Sequence, residues 1–88
     1  MSGRYRVEVS RLAVKELASL ARPDQQRIRA AIDLLGEDPR PPGCTKLTGE
    51  QRTYRVRTGD YRIIYEIRDR RLVVQAIRSG HRRDVNRR

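Results

Sequence analysis

The chain has no tryptophan and no phenylalanine, one cysteine, one histidine and two lysines among its 88 residues. Without Trp or Phe the core has to be aliphatic, helped by four tyrosines. Cys44 on its own rules out an internal disulfide framework and a cysteine-cluster zinc site. His81 has no cysteine or histidine partner and no H-x-x-x-H spacing, which makes it a poor metal ligand. No run approaches the roughly 18 apolar residues of a membrane helix, and no stretch has the form of a signal peptide. A serine-centred elbow, a Gly-rich phosphate loop with its Lys, and carboxylates at metal-ligand spacing are missing too. Asp60, Asp69 and Asp84 are accounted for as turn or tail residues, so magnesium-dependent chemistry is disfavoured. The expectation is a small basic domain spanning 1–88, cytoplasmic, needing no metal or cofactor and not bound to a membrane.

What the chain has in quantity is arginine. Lys and Arg number 21 against 11 Asp and Glu, a net charge of +10, and 19 of the 21 are Arg. Residues 1–44 hold 8 basic and 6 acidic side chains, whereas residues 45–88 hold 13 and 5. Solubility alone would be served as well by Lys; Arg is the residue for planar, multi-donor contact with phosphate or carboxylate. The field predicts an anionic partner, either a nucleic acid or an acidic protein. Charge does not choose between them.

The order of elements is legible from periodicity. Arg4–Val9 alternates as a strand, and Ser10 is placed to cap the helix that follows, with Ala13, Leu17, Leu20 and Ala21 along one face. Pro23 interrupts that run and suits the first turn of a second helix, with Asp24 near its positive end. Ile28, Ala31, Ile32 and Leu35 form its apolar stripe, and Gly36 reads as its C-terminal stop. Two helices of about ten to thirteen residues should make an antiparallel hairpin. From Glu37 to Gly49 the density of Pro and Gly predicts an ordered, non-repetitive crossover. Three alternating segments follow, Arg52–Thr58, Tyr61–Ile67 and Leu72–Arg78, joined by turns at Gly59-Asp60 and Arg68-Asp69-Arg70. The last is the most hydrophobic and reads as the central strand. The fold class predicted is α+β: an N-terminal strand, a helical hairpin, then a three-stranded antiparallel meander, with the helices on one side of a small sheet.

Strand alternation then sorts side chains by face. A two-residue turn at Gly59-Asp60 pairs Thr58 with Tyr61, Arg57 with Arg62 and Arg55 with Ile64, leaving Arg55, Arg57 and Arg62 on one surface. Like charges directly opposed across a sheet are destabilising, an arrangement best understood if an anion fills the gap. The alternative is that these arginines splay into water. Arg78, His81, Arg82 and Arg83 follow the last strand, where Gly80 permits a sharp change of direction. His81, with a reference pKa near 6.5, is either a proton carrier beside a phosphate or a surface histidine. Tyr61 and Tyr65 share the face opposite Arg62; the tyrosines either supply core mass or stack on a base.

The string Tyr54-Arg55-Val56-Arg57-Thr58-Gly59-Asp60-Tyr61-Arg62-Ile63-Ile64-Tyr65, with Lys46-Leu47-Thr48-Gly49 before it and Gly80-His81-Arg82 after it, resembles the RelE branch of the RelE/ParE toxin superfamily. The likeness extends over nearly the whole chain, through Val14-Lys15-Glu16-Leu17 and the Leu34-Leu35…Pro39 helix exit. It implies a RelE-like toxin of a toxin–antitoxin pair. Such toxins enter the ribosomal A site and cut mRNA without a metal, through attack of the 2′-hydroxyl on the adjacent phosphate. Carried over to this sequence, the resemblance implies that Arg62 and Arg82 hold the scissile phosphate, while Arg55 and Arg57 contact the backbone and assist proton transfer. Lys46, Arg78 and Arg83 complete the basic set assigned to RNA contact. The family pattern G-H-R-x-x-x-Y ends here in Asn86, which supplies no phenol and no general base. The duty of that tyrosine is therefore expected to fall in part to His81. The partner implied is an acidic antitoxin that masks the basic surface, with operator DNA read only through it. The alternative is a ParE-like toxin or weakened homologue acting by protein binding, for instance on gyrase.

Overall fold

The computed structural model of the chain describes residues 5–47, 49 and 52–79. Their elements run β1 (Arg6–Val9), α1 (Arg11–Ala18), α2 (Arg22–Glu37), β2 (Thr45–Lys46), β3 (Thr53–Thr58), β4 (Tyr61–Arg68) and β5 (Arg71–Ser79). The five strands form one sheet in the order β1-β5-β4-β3-β2. β1 lies parallel to β5, and every other neighbour is antiparallel. The α+β class and the meander of β3, β4 and β5 are as the alternation predicts.

Local chemistry sets the element boundaries. The Ser10 side chain accepts the Ala13 N–H at 3.1 Å and starts α1 as an N-cap. Pro23 stands in the first turn of α2, where its missing N–H costs nothing, with Asp24 beside it. At Gly59 the chain takes φ +61°, a glycine conformation at the first turn position that lets β4 return directly along β3. Asp69 does the same for the second hairpin at φ 52°, a role that Asp tolerates better than most residues.

Alternation puts one set of side chains against the helices. Ala13, Ile28, Ile32 and Leu35 pack with Ile63, Tyr65, Ile67, Leu72, Val74 and Ile77 in a single cluster, flanked by Tyr5, Tyr54 and Tyr61. Each large aliphatic side chain taken fully out of water contributes about 1.5–3 kcal/mol. Tyr65 is wholly buried, its ring stacked on Tyr54 at 5.9 Å and its hydroxyl donating to the Pro39 carbonyl at 2.7 Å. The tyrosines thus fill the aromatic part of the core and pin the crossover to the sheet.

Four expectations are corrected. The helices are unequal, 8 and 16 residues, because Pro23 opens α2 early and Gly36 does not end it. Gly36 is buried inside the last turn instead; a Cβ there would lie 2.9 Å from Val7 Cγ2, so glycine lets the helix approach β1. The crossover contains a strand, β2, formed where Thr45 and Lys46 meet Arg55 and Tyr54. The middle of the sheet is β4, with β5 between it and β1.

Candidate nucleic-acid interface

The helices cover one face of the sheet, and the other carries the arginines. Cross-strand partners point to the same side, so the register Thr58–Tyr61, Val56–Ile63 and Tyr54–Tyr65 faces the helices, while Arg57–Arg62 and Arg55–Ile64 face away. This is the register expected from the Gly59-Asp60 turn. β5 extends the row: Arg78 pairs with Arg62 across β4, so Arg57, Arg62 and Arg78 stand abreast on three adjacent strands.

Arg55, Arg57 and Arg62 line an open cleft of about 240 Å³, closed on its outer side by Gly43 and Thr45 from the crossover and β2. Among the described residues none of these three guanidiniums has a carboxylate partner. Arg57 and Arg62 are direct cross-strand neighbours, and two like charges about 5 Å apart repel by roughly 1 kcal/mol even in water. An oxyanion between them turns that repulsion into two charge-assisted contacts, bidentate where a guanidinium faces a phosphate edge. Guanidiniums held on strands are also oriented before charge develops on a reacting phosphate, which is the condition for electrostatic catalysis.

The other basic residues divide. Arg78 belongs to the row but meets Glu16 at 3.7 Å. Lys46 pairs with Tyr54, on the helix side of the sheet, and does not line the cleft. His81, Arg82, Arg83 and Asn86 lie outside the described residues. Sequence reasoning did not find Thr45 and Gly43, the outer wall of the cleft, because the pairing that brings Thr45 opposite Arg55 has no signature in a segment so rich in Pro and Gly. Nor did it single out Arg40, whose guanidinium sits 5.5 Å from the Tyr54 ring centre and 3.3 Å from its hydroxyl, bracing the crossover behind that wall. Among the described residues no three His, Cys, Asp or Glu side chains gather as a metal site, and no helix is long and apolar enough to cross a membrane.

A small basic domain with a guanidinium-lined cleft on the open face of a helix-backed sheet is the class that fold and site define. The family described as the ParE toxin of the type II toxin–antitoxin system parDE matches residues 7–86. Among solved structures the chain is similar to the archaeal RelE–RelB complex of Pyrococcus horikoshii, at 31% identity over 90% of this chain and 98% of that one, TM-score 0.79. It also shares the fold of the isolated E. coli RelE toxin, at 22% identity over 92% and 89%, TM-score 0.78. The RelBE2 complex of Mycobacterium tuberculosis is similar at 22% identity over 92% and 98%, TM-score 0.79. No curated protein matches the chain. The chain belongs to the RelE/ParE superfamily of toxins from type II toxin–antitoxin systems, on the side of its RelE members.

Proposed function

We propose that this toxin is a cytoplasmic, metal-independent endoribonuclease that enters the ribosome, cuts mRNA and stops translation, and that residues 1–88 form one domain for that purpose. The observation that carries the reading is the cleft of Arg55, Arg57 and Arg62, three aligned cations without a carboxylate among the described residues. Arg62, half-buried between Arg57 and Arg78, grips the scissile phosphate, with Arg82 completing the grip and His81 sharing the proton transfer. Arg55 and Arg57 track the neighbouring backbone. In the free cell an acidic antitoxin covers this face, and its complex with the toxin reads operator DNA through the antitoxin; charge complementarity suits a partly disordered partner that folds on binding.

A second reading, a poison acting on gyrase by protein binding, is favoured by the ParE family match and by Asn86 at the position of the usual tyrosine. Inducing the chain alone and following message ends by primer extension, beside a DNA-damage reporter, separates the two. Ribosome-dependent cuts abolished by changing Arg57 and Arg62 together support the first reading. Broken DNA with intact message supports the second.

A further inference from the structure

β5 is nine residues long, but β1 covers only Arg71–Val74. A β-bulge lies opposite Ile64 and Tyr65, and beyond it no strand of the described residues lies along the side of β5 away from β4. α1 lies there instead. Ser10 makes the handover: its N–H donates to the Val74 carbonyl at 2.9 Å, and its hydroxyl donates to the Gln75 carbonyl at 2.9 Å. Less than two turns later Glu16 meets the strand again. Its Oε1 accepts the Ile77 N–H at 2.6 Å, and its Oε2 stands 3.7 Å from Arg78 Nη1. One carboxylate thus takes a backbone N–H of β5 that β1 does not reach and engages the third member of the Arg57–Arg62–Arg78 row.

A bond from a backbone N–H to a carboxylate is charge-assisted, short and stronger than a neutral one. It lies at Ile77, next to Arg78, so the C-terminal end of β5 is tied to α1 by this contact. In the row itself, Arg78 is the member with a carboxylate partner among the described residues, which draws its guanidinium toward α1 and away from Arg62.

We infer that Glu16 is a positioning residue of the RNA site: it stands in for a strand partner, setting the height of Ile77 and the direction of Arg78 in the arginine row. The catalytic consequence rests on the nuclease reading; the contact itself does not. Glu16 touches no substrate, so its loss is read in turnover rather than in affinity.

The test uses the full chain with Glu16→Ala, Glu16→Asp and Glu16→Gln, reading hydrogen exchange at the Ile77 amide, single-turnover cleavage on programmed ribosomes, and KM. Glu16→Ala is expected to speed Ile77 exchange and to lower turnover about 10- to 100-fold, the scale of an ångström-level misplacement. KM should stay level or fall, because removing an acid strengthens the positive field. Glu16→Asp keeps the charge but shortens the reach, and should lose turnover at unchanged KM even if the alanine variant fails to fold. Glu16→Gln keeps an acceptor for Ile77 and should recover turnover to within about threefold. Unchanged Ile77 exchange in Glu16→Asp, wild-type turnover in that variant, or Glu16→Gln as damaged as Glu16→Ala would each overturn the proposal. A wild-type chain that cuts no message sinks the nuclease reading, and Ile77 exchange then decides on the contact alone.

Discussion

The open face of the sheet has two ends built from the same residue type, and their arginines meet different surroundings. Near the β4–β5 turn two arginines are paired with acids: Arg71 meets Glu8 at 3.4 Å, Arg68 meets Glu66 at 3.2 Å, and Glu66 also accepts from Gln75 at 3.2 Å. Near the β3–β4 turn Arg55, Arg57 and Arg62 stand together, and no described carboxylate reaches them. Exposed ion pairs of the first kind contribute only about 0–1 kcal/mol each. Their effect is on the field: cancelling charge at one end leaves the attraction for an anion concentrated at the other. An arginine count cannot reveal this, because what separates a solvated surface from a site is where the acids are.

The contrast can be broken most directly at Arg62. Its change to Ala should lower single-turnover message cleavage about 100- to 1,000-fold, the scale of removing one oriented donor from a reacting anion. The same measurement on Arg68→Ala should move by less than about twofold, since that guanidinium is occupied by Glu66 at the other end. Equal losses would mean that the two ends are one diffuse basic surface.

A second comparison sets the arginine face against the helix face, where stability resides. Tyr65→Phe removes the hydroxyl that reaches the Pro39 carbonyl and should cost about 1 kcal/mol, lowering Tm by roughly 4–8 °C at this chain length. Burial also pushes the Tyr65 phenol well above the ordinary tyrosine value near 10. The sign follows from linkage. The fold favours the protonated phenol, so this contribution is complete below pH ~10 and declines as pH rises past the unfolded value toward the higher folded one. Urea midpoints should fall between pH 9 and pH 11, less steeply in Tyr65→Phe.

Smaller effects sharpen the first contrast. Arg57→Gln relieves the charge opposed to Arg62 and should raise stability by about 0.2–1 kcal/mol in urea titration while cleavage declines, a gain and a loss from one change. Glu66→Gln should alter stability by no more than about 0.5 kcal/mol and leave cleavage unchanged. A stability loss in Arg57→Gln would show that the guanidinium row is structural.

Much of this was open to reading along the chain. The Gly59-Asp60 turn sets the Arg57–Arg62 register through local geometry alone, and period-two alternation then assigns Tyr61 and Tyr65 to one face and Arg62 to the other. Ser10 as N-cap and Pro23 in a first turn are decided within a few residues. Gly36 reads as a helix stop because a stop signal and a close-packing position use the same residue, and the Val7 contact that distinguishes them is 29 positions away in the chain. Motif groups Lys46 with the arginines, yet its register with Tyr54 turns it to the helix side.

Sequence by itself determined the element types other than β2, the hairpin register, the aliphatic core with tyrosine in place of larger aromatics, and which arginines share a surface. These follow from turn chemistry and side-chain periodicity, forces that act between near neighbours. Tertiary structure alone decided that β1 runs parallel to β5 and pairs with it only as far as Val74, that β2 walls the cleft with Thr45, that Glu8 and Glu66 pair with Arg71 and Arg68, and that Glu16 takes the Ile77 N–H beyond the reach of β1. Apart from the Glu66–Arg68 pair, which depends on the rotamers that bring those charges within reach, these join residues more than sixty positions apart or draw on a segment without periodicity. No local pattern encodes such meetings; only the assembled sheet brings the partners together.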